Sequence, residues 1–255
     1  MDGPALLELC RDVADAIHAA LVELDDWSLA GTRPGQYRSD LAADEVAVEM
    51  LTSAGLGVLS EESGAHLSER ALLAIVDPVD GSTNASRGIP WFATSIAVLD
   101  SEGPLAGFVV NQAIGTTYEA VRGEGARRDG KAIAPSGKRA LEDSIIGISG
   151  FPVEYLGWRQ FRALGAVALD LCCVADGTLD AYLDCSKSAH GGWDYLAGML
   201  VCTEAGASFG DTEGRDPVVR THLERRSPLA AATPELLGEV IAAFSSAREG
   251  HRGGR

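Results

Sequence analysis

The segment Ala71–Asn84, ALLAIVDPVDGSTN, determines the fold assignment. Its first six residues are apolar, which is typical of a buried strand, and that strand is predicted to end directly on Asp77. A proline then bends and stiffens the chain, and Asp80 returns a second carboxylate to the neighbourhood of the first. Two carboxylates at a strand end, with a backbone carbonyl between them, suit a hard cation. Gly81 permits an unusual turn, and a helical turn opening at Ser82 would point its N–H groups at a phosphate.

The same segment has a simpler interpretation, because Asp-Pro and Asp-Gly are common turn dipeptides and this could be an ordinary loop. Two other acidic positions favour a site. Glu61 follows a predicted strand over residues 57–60, and Asp194 begins a predicted helix, where it could also be a simple N-terminal cap. Buried together without cations, these carboxylates would repel one another and lose their hydration at a high cost in free energy. The hypothesis is therefore a cation site that unites Glu61, Asp77, Asp80 and Asp194.

Hydrophobic periodicity predicts a β-rich first half and an alternating second half. In the first half, helices are predicted near residues 5–25 and 39–54, and strands at 57–60, 71–76, 94–99, 106–111 and 117–121. In the second half, helices are predicted at 166–175, 193–205 and 234–247, and strands at 180–184 and 228–232. The pattern indicates one unit over residues 1–247, with packed sub-layers at about 1–143 and 144–247. The Gly- and Arg-rich end, residues 248–255, is expected to be a disordered tail.

Composition excludes several classes of protein. The chain has 255 residues and a net charge of −16, which argues against a partner that is a nucleic acid or an anionic membrane. No apolar run approaches the roughly 18–20 residues that span a bilayer, and the N-terminal segment has no secretory pattern, so we expect a cytoplasmic protein. The five Cys form no C-x-x-C pair, which argues against a disulfide framework and a structural zinc site.

Three segments, in this order, resemble the signature motifs of the inositol monophosphatase family: Ser60–Ser63 (SEES), Asp77–Asn84 (DPVDGSTN) and Trp193–Gly198 (WDYLAG). Two further stretches extend the resemblance. Gly88–Ala97 is similar to the family's segment after the aspartate motif, and Leu164–Gly177 is similar to its glycine-led helix on the substrate side. Together these segments place the resemblance over roughly residues 5–245. One such motif is moderately specific, whereas the three in order are very specific.

The resemblance implies an α/β fold, a layered α/β/α/β/α sandwich of the inositol monophosphatase and fructose bisphosphatase type. It also implies a homodimeric enzyme whose hydrolysis of a small phosphate monoester depends on Mg²⁺ and is sensitive to lithium. Carried over by position, Glu61, Asp77 and the carbonyl of Val79 would hold one Mg²⁺. A second would be held by Asp77, Asp80 and Asp194, and Glu61 could contact a weaker third ion.

Catalytic and substrate-binding roles follow from the same resemblance. Asp44 and Ser82 would orient the attacking water, and Glu61 would take part through the metal it holds. The metals would neutralise the phosphate, lower the pKa of a bound water and stabilise the leaving alkoxide. The backbone N–H groups of Gly81 and Ser82 would hold the phosphate. Gly165 and Ala166, which begin the substrate-side helix, would contact the substrate.

The identity of the alcohol is the open part of this interpretation. Lys187 stands where inositol-specific members place an acidic residue that accepts hydrogen bonds from substrate hydroxyls, and a Lys cannot accept them. It would favour a carboxylate, a second phosphate or another polar group, or it simply faces solvent. His190 lies close to Asp194 in the sequence and is a further candidate for substrate contact. The segment 37–44 is shorter than the family's usual mobile loop, which puts the third metal in question. Histidinol phosphate, sugar phosphates such as fructose bisphosphate, and 3′-phosphonucleotides are the alternative substrates.

Two other functional classes receive less support. A non-catalytic binding protein on this fold predicts the loss of a metal ligand, whereas all four carboxylates are present. A Rossmann-type oxidoreductase is suggested only by the alternating second half, and no G-x-G-x-x-G follows a strand near the N-terminus.

Overall fold

The computed structural model describes residues 1–32, 35–186 and 190–253, which form two β-sheets and their covering helices. Within these residues, the larger sheet has eight strands in the order β2-β1-β3-β4-β5-β6-β7-β8. They are β1 (Gly57–Ser60), β2 (Gly64–His66), β3 (Leu73–Asp80), β4 (Ala93–Asp100), β5 (Gly103–Asn111), β6 (Thr117–Val121), β7 (Ala126–Arg128) and β8 (Lys131–Ala132). Strands β1 and β3 run parallel, and the other neighbouring pairs run antiparallel.

The smaller sheet, in the described part of the chain, has five strands in the order β10-β9-β11-β13-β12. They are β9 (Ile145–Ser149), β10 (Gln160–Arg162), β11 (Ala181–Asp184), β12 (Ser208–Asp211) and β13 (Pro228–Ala231). Strand β9 pairs in parallel with both β10 and β11, whereas β13 pairs antiparallel with β11 and β12. The carboxyl end of β11, one of the three parallel strands of this sheet, lies on the side where β1 and β3 also end.

The helices form three layers around the two sheets. They are α1 (Gly3–Val22), α2 (Arg38–Ser53), α3 (Ser82–Ser86), α4 (Val167–Ala175), α5 (Gly192–Ala205) and α6 (Pro234–Gly253). One apolar core joins α1 and α2 to the larger sheet, a second joins α4 and α5 to both sheets, and a third joins α6 to the smaller sheet. The order of layers is therefore α/β/α/β/α, which confirms the predicted sandwich.

The first helix shows how the local sequence specifies this packing. Asp2 caps α1 by accepting a hydrogen bond from the Ala5 N–H at 3.1 Å, and a proline occupies the first turn. Its buried side chains recur every three or four residues: Leu6, Cys10, Val13, Ala14, Ile17 and Leu21. This spacing puts them on one face of the helix, which packs against the larger sheet.

Strand β3 continues to Asp80 and does not end on Asp77 as predicted. Asp77 pairs with Ser95 and Asp80 pairs with Ala93, so three residue steps on β3 match two on β4. Such a β-bulge inserts one extra residue and bends the strand. The bulge contains Pro78, which lacks the N–H that a regular ladder requires. Both aspartates therefore lie on one buried strand, with an irregularity between them.

The other differences from the predicted elements lie at the sheet edges, at one interior strand of the smaller sheet and at the C-terminus. Strands β2, β7, β8, β10 and β12 were not predicted, because two to four residues carry too little alternation to be recognised. The five-residue strand β9, which contains Gly147, was not predicted either. Helix α6 continues to Gly253, so residues 248–253 are helical where a disordered tail was predicted. The rest of that segment, 254–255, lies outside the described residues. Among the helices described, none has the length and apolar character to cross a membrane.

Candidate metal centre and substrate cavity

Three carboxylates from distant parts of the sequence converge beside the carboxyl end of β1. They belong to Glu61, Asp77 and Asp194, and one oxygen of each lies within 4.8 Å of those of the other two. Parallel pairing of β1 with β3 brings the first two together, and the Glu61 N–H donates to the Val76 carbonyl at 3.1 Å. The third comes from the first turn of α5. Three acidic groups this close, half-buried or buried, are the donor set expected of a hard-cation site.

Helix α5 is fixed in place by bonds on both sides of its acidic residue. The Ser95 hydroxyl, on β4, donates to the Trp193 carbonyl at 3.0 Å. The Asp194 carboxylate in turn accepts from the Gly191 N–H at 2.7 Å, which caps the helix start. Asp194 thus caps the helix and also lies close enough to Glu61 and Asp77 to share a cation with them.

Asp80, the fourth expected ligand, lies outside the group of three and has a different partner. One of its oxygens accepts from the Ala168 N–H at 2.7 Å, at the start of α4. A helix N-terminus favours a negative charge because its N–H groups are unpaired within the helix. The residue is buried, and the charge of Asp194 acts on it.

The electrostatics of these groups oppose their ionisation. Burial, followed by the charges of Asp194 and Glu62, raises the pKa of Glu61 to about 8. Burial and the charge of Asp194 raise the pKa of Asp80 to about 7. Burial and the charge of Glu61 hold the pKa of Asp77 well above its usual range. A bound divalent cation would remove this cost, so the residues present fit a hard cation such as Mg²⁺.

The bulge and the turn after it are tightly specified. The Val79 N–H donates to the Asp77 carboxylate at 3.0 Å, and the Thr94 hydroxyl donates to the Pro78 carbonyl at 2.8 Å. Gly81 has φ of 86° and precedes α3, the helical turn that was predicted to open at Ser82. A Cβ at Gly81 would lie only 3.0 Å from a neighbouring carbonyl oxygen, so glycine is required for both torsion and space.

That neighbouring carbonyl belongs to Gly165, which brings the predicted substrate-side segment against the aspartate motif. The Asn84 amide donates to the Leu164 and Trp91 carbonyls, both at 2.8 Å, and so ties the two segments together. The Ala166 Cβ would likewise lie 3.2 Å from a Cβ at Gly81. Gly165 and Ala166 therefore border the turn that was predicted to hold phosphate.

A cavity of about 340 Å³ opens beside these residues. Its lining comes from five parts of the chain: Gly35, Gln36 and Asp40 near the start of α2, Glu61 and Glu62 after β1, Ser82 in α3, Trp193 in α5, and His222 and Arg225 from the loop before β13. The Tyr37 and Thr83 hydroxyl oxygens lie 3.3 Å apart, which places the start of α2 beside the start of α3. The first turn of α2 thus faces the same space as the metal centre.

The structure gives different surroundings to two aspartates of α2, of which the resemblance pointed only to Asp44. Asp44 is buried and accepts a hydrogen bond from the Ser60 hydroxyl, and that hydroxyl accepts from the Glu62 N–H at 3.1 Å. Asp40, one turn earlier on the same face, lines the cavity with Ser82. Its carboxylate also accepts from the Tyr37 N–H at 2.8 Å. A four-residue spacing puts both aspartates on one helix face, so only the tertiary contacts decide which of them reaches the cavity.

His190 lies between two acidic side chains, one of which was missed from the sequence. Its Nδ1 is 3.4 Å from an Asp194 oxygen, and its Nε2 is 3.6 Å from an oxygen of Asp184, at the end of β11. Burial opposes a positive charge here, but the two carboxylates outweigh it and raise the pKa of His190 to about 10. Within the described residues, Asp184 Oδ2, His190 Nε2 and the Tyr182 hydroxyl have no hydrogen-bond partner. The sequence feature that could have identified Asp184 is its position at the end of a predicted strand. Lys187 lies outside the described residues.

Comparison with known proteins agrees with this geometry. The model of the inositol monophosphatase family matches residues 39–249. The chain is 36% identical over 212 residues to an inositol-1-monophosphatase of Mesorhizobium japonicum, covering 75% of this chain and 78% of the relative. It is 32% identical over 207 residues to a fructose-1,6-bisphosphatase of Pyrococcus furiosus, covering 79% and 80%. A Pyrococcus horikoshii structure described as similar to inositol-1 monophosphatase superposes with a TM-score of 0.85 at 25% identity, covering 95% of this chain and 99% of that one. The chain therefore belongs to the inositol monophosphatase family and is a phosphoric monoester hydrolase.

Proposed function

We propose that this enzyme hydrolyses a small phosphate monoester with Mg²⁺, using two ions and a water as the nucleophile. The observation that carries the proposal is the convergence of Glu61, Asp77 and Asp194 within 4.8 Å at the edge of a cavity of about 340 Å³. Such a cavity accommodates a phosphate and a small alcohol. In this proposal water is the nucleophile, and the thiols are poorly suited to that role, because four of the five are buried and burial raises the pKa of Cys185, the half-buried one, to about 12.

In this proposal one ion is held by Glu61, Asp77 and the Val79 carbonyl, and the other by Asp77, Asp80 and Asp194. The bulge in β3 supports the first set, since it takes Val79 out of the regular ladder. The Asp80 oxygen that the Ala168 N–H does not use supports the second. The ions would neutralise the phosphate and lower the pKa of a bound water. A third ion at Glu61 belongs to the same proposal.

The protein's own groups would orient the reactants. Asp40 and Ser82 line the cavity together, so we assign to this pair the orientation of the attacking water. Asp44, which was predicted for that role, would instead position Ser60 next to Glu61. The N–H groups of Gly81 and Ser82, at the start of α3, would bind the phosphate oxygens.

The alcohol would lie on the side of the cavity near the starts of α4 and α5. Gly165 and Ala166 would border it, and His190, held between Asp184 and Asp194, is the candidate for contact with a substrate hydroxyl. The names of the relatives include both inositol-1-monophosphatase and fructose-1,6-bisphosphatase. A polyol or sugar phosphate is accordingly our first candidate, with histidinol phosphate and 3′-phosphonucleotides as alternatives.

Phosphate release from a panel of monoesters, measured with and without Mg²⁺, tests the proposal. We expect activity that EDTA abolishes and that Asp77→Asn lowers by at least one-hundredfold. Asp180→Asn is the matched control, because Asp180 is also buried and accepts bonds from Ser136 and Ile145, outside the site. Activity without Mg²⁺, or equal activity in the two variants, would refute the mechanism. Lithium sensitivity, a homodimer and a cytoplasmic location remain predictions from the resemblance.

A further inference from the structure

One wall of the cavity is cationic and aromatic, in contrast to the acidic groups that face it. The loop between β12 and β13 places His222 and Arg225 on this wall, next to Trp193. The rings of His222 and Trp193 are 4.7 Å apart, and the Arg225 guanidinium lies 4.8 Å from the centre of the Trp193 ring. His222 Nε2 donates to the Glu61 carbonyl at 3.0 Å. The wall is thus continuous with the residues that hold the metal centre.

Arg225 donates hydrogen bonds to uncharged backbone groups. Its Nη1 donates to the carbonyls of His222 and Glu224, at 2.6 and 2.9 Å. Arg226, the next residue, has an ion pair with Glu224 at 3.4 Å. No carboxylate in the described part of the chain forms such a pair with Arg225, although Glu61 and Glu62 line the same cavity. A half-buried guanidinium without a carboxylate is available to an anion from outside the protein.

Because the cavity lining is acidic, a substrate with a second anionic group needs the positive charge of Arg225 to bind. A second anionic group on the alcohol would be repelled by the carboxylates of Asp40, Glu61 and Glu62. A guanidinium stacked on an aromatic ring is preorganised, so it loses little conformational entropy when it binds an anion. Its planar donors match the oxygens of a carboxylate or a phosphate.

We propose that Arg225, braced by Trp193 and His222, forms an anion subsite that binds a second carboxylate or phosphate on the alcohol part of the substrate. This inference rests on the proposed phosphatase function, and it selects substrates with two anionic groups among the monoesters considered above. If Arg225 only braced its loop, its loss would affect all substrates equally and would lower the stability of the protein.

Two matched pairs of substrates test the subsite and distinguish the two anions. 2-Phosphoglycerate differs from glycerol 2-phosphate by a carboxylate in place of a hydroxymethyl group, and fructose 1,6-bisphosphate differs from fructose 1-phosphate by a second phosphate. In Arg225→Gln we expect kcat/KM for at least one of the doubly anionic substrates to fall about tenfold to one-hundredfold, mainly through KM. Its singly anionic partner should change less than about twofold. Arg225→Lys should restore part of the preference.

Arg220→Gln is the matched control, since Arg220 lies in the same loop, is exposed and bonds the Asp100 carbonyl away from the cavity. It should leave both pairs unchanged. Equal losses within both pairs in Arg225→Gln, or no loss in either, would overturn the subsite. The subsite would also be refuted if the wild-type enzyme showed no preference for the doubly anionic substrate in either pair.

A binding measurement separates failure of the subsite from failure of the proposed function. The rise in Tm caused by 2-phosphoglycerate and by fructose 1,6-bisphosphate is measured without hydrolysis, in wild type and in Arg225→Gln. If no monoester is hydrolysed but a ligand raises Tm more in wild type than in Arg225→Gln, the anion subsite is supported and the phosphatase mechanism is refuted. If hydrolysis is normal and both proteins show the same rises, the subsite is refuted alone.

Discussion

Replacing Asp77 with Asn should stabilise the metal-free protein while it removes activity. Two unit charges 4.8 Å apart, the limit of the separations in this group, repel by about 3.5 kcal/mol at an effective dielectric constant of about 20. The folded protein relieves part of this repulsion by binding a proton, which itself costs free energy at pH 7.5. We therefore expect a net gain of about 1–3 kcal/mol, or a Tm higher by about 2–10 °C. The Asn carbonyl can still accept from the Val79 N–H, so the bulge is retained.

The assay is thermal unfolding at pH 7.5, first in EDTA and then across a Mg²⁺ titration. In EDTA, Asp77→Asn should melt above wild type. With Mg²⁺ the order should reverse, because a ligand that binds only the folded state stabilises it by RT ln(1 + [L]/Kd), and the variant lacks a ligand for the ion. Asp211→Asn is the control and should lower Tm instead of raising it. The Asp211 carboxylate accepts hydrogen bonds from Arg215 at 2.8 and 2.9 Å, so its negative charge stabilises the folded protein. The reasoning fails if Asp77→Asn melts below wild type in EDTA, or if Mg²⁺ stabilises it as much as wild type.

Three further predictions follow from the site. The raised pKa values of Glu61 and Asp80 mean that the folded metal-free protein binds more protons than the unfolded chain above about pH 4.5, so its stability should fall as pH rises toward 8. Glu61 alone should lower the free energy of unfolding by about 2 kcal/mol between pH 5 and 7, as measured by urea unfolding in EDTA. Saturating Mg²⁺ should abolish this dependence of stability on pH. Asp40→Asn should lower kcat by about one-hundredfold or more, whereas Asp44→Asn should lower it less than about tenfold and cost about 1–2 kcal/mol of stability; equal kcat losses would return the water-orienting role to Asp44. Gly81→Ala should cost about 1–3 kcal/mol and most of the activity, since its φ is 86° and backbone oxygens lie 3.0 and 3.1 Å from the added Cβ; an unchanged Tm would contradict this account.

Much of the fold could be predicted from the sequence, because long elements have a clear period. The apolar stripe of α1 and the buried run before Asp77 both correspond to observed elements. Prediction failed where the information was not local. The bulge that extends β3 to Asp80 depends on pairing with β4, and the two- to four-residue edge strands depend on neighbours that supply their hydrogen bonds.

The sequence by itself was enough to predict a metal centre, because its motifs place acidic residues after apolar runs and at a helix start, where carboxylates suit cations. Only the tertiary structure decided which residues share the cavity. Glu61 and Asp194 meet across 133 residues, Asp40 faces Ser82 while Asp44 supports Ser60, and Arg225 stacks on Trp193 from a loop without a recognisable motif. The physical reason is that periodicity specifies which face of an element is buried, whereas the partner of a side chain depends on how distant elements pack. The metal centre that we infer from Asp77–Asn84 was therefore predictable, and the wall that we propose as its anion subsite was not.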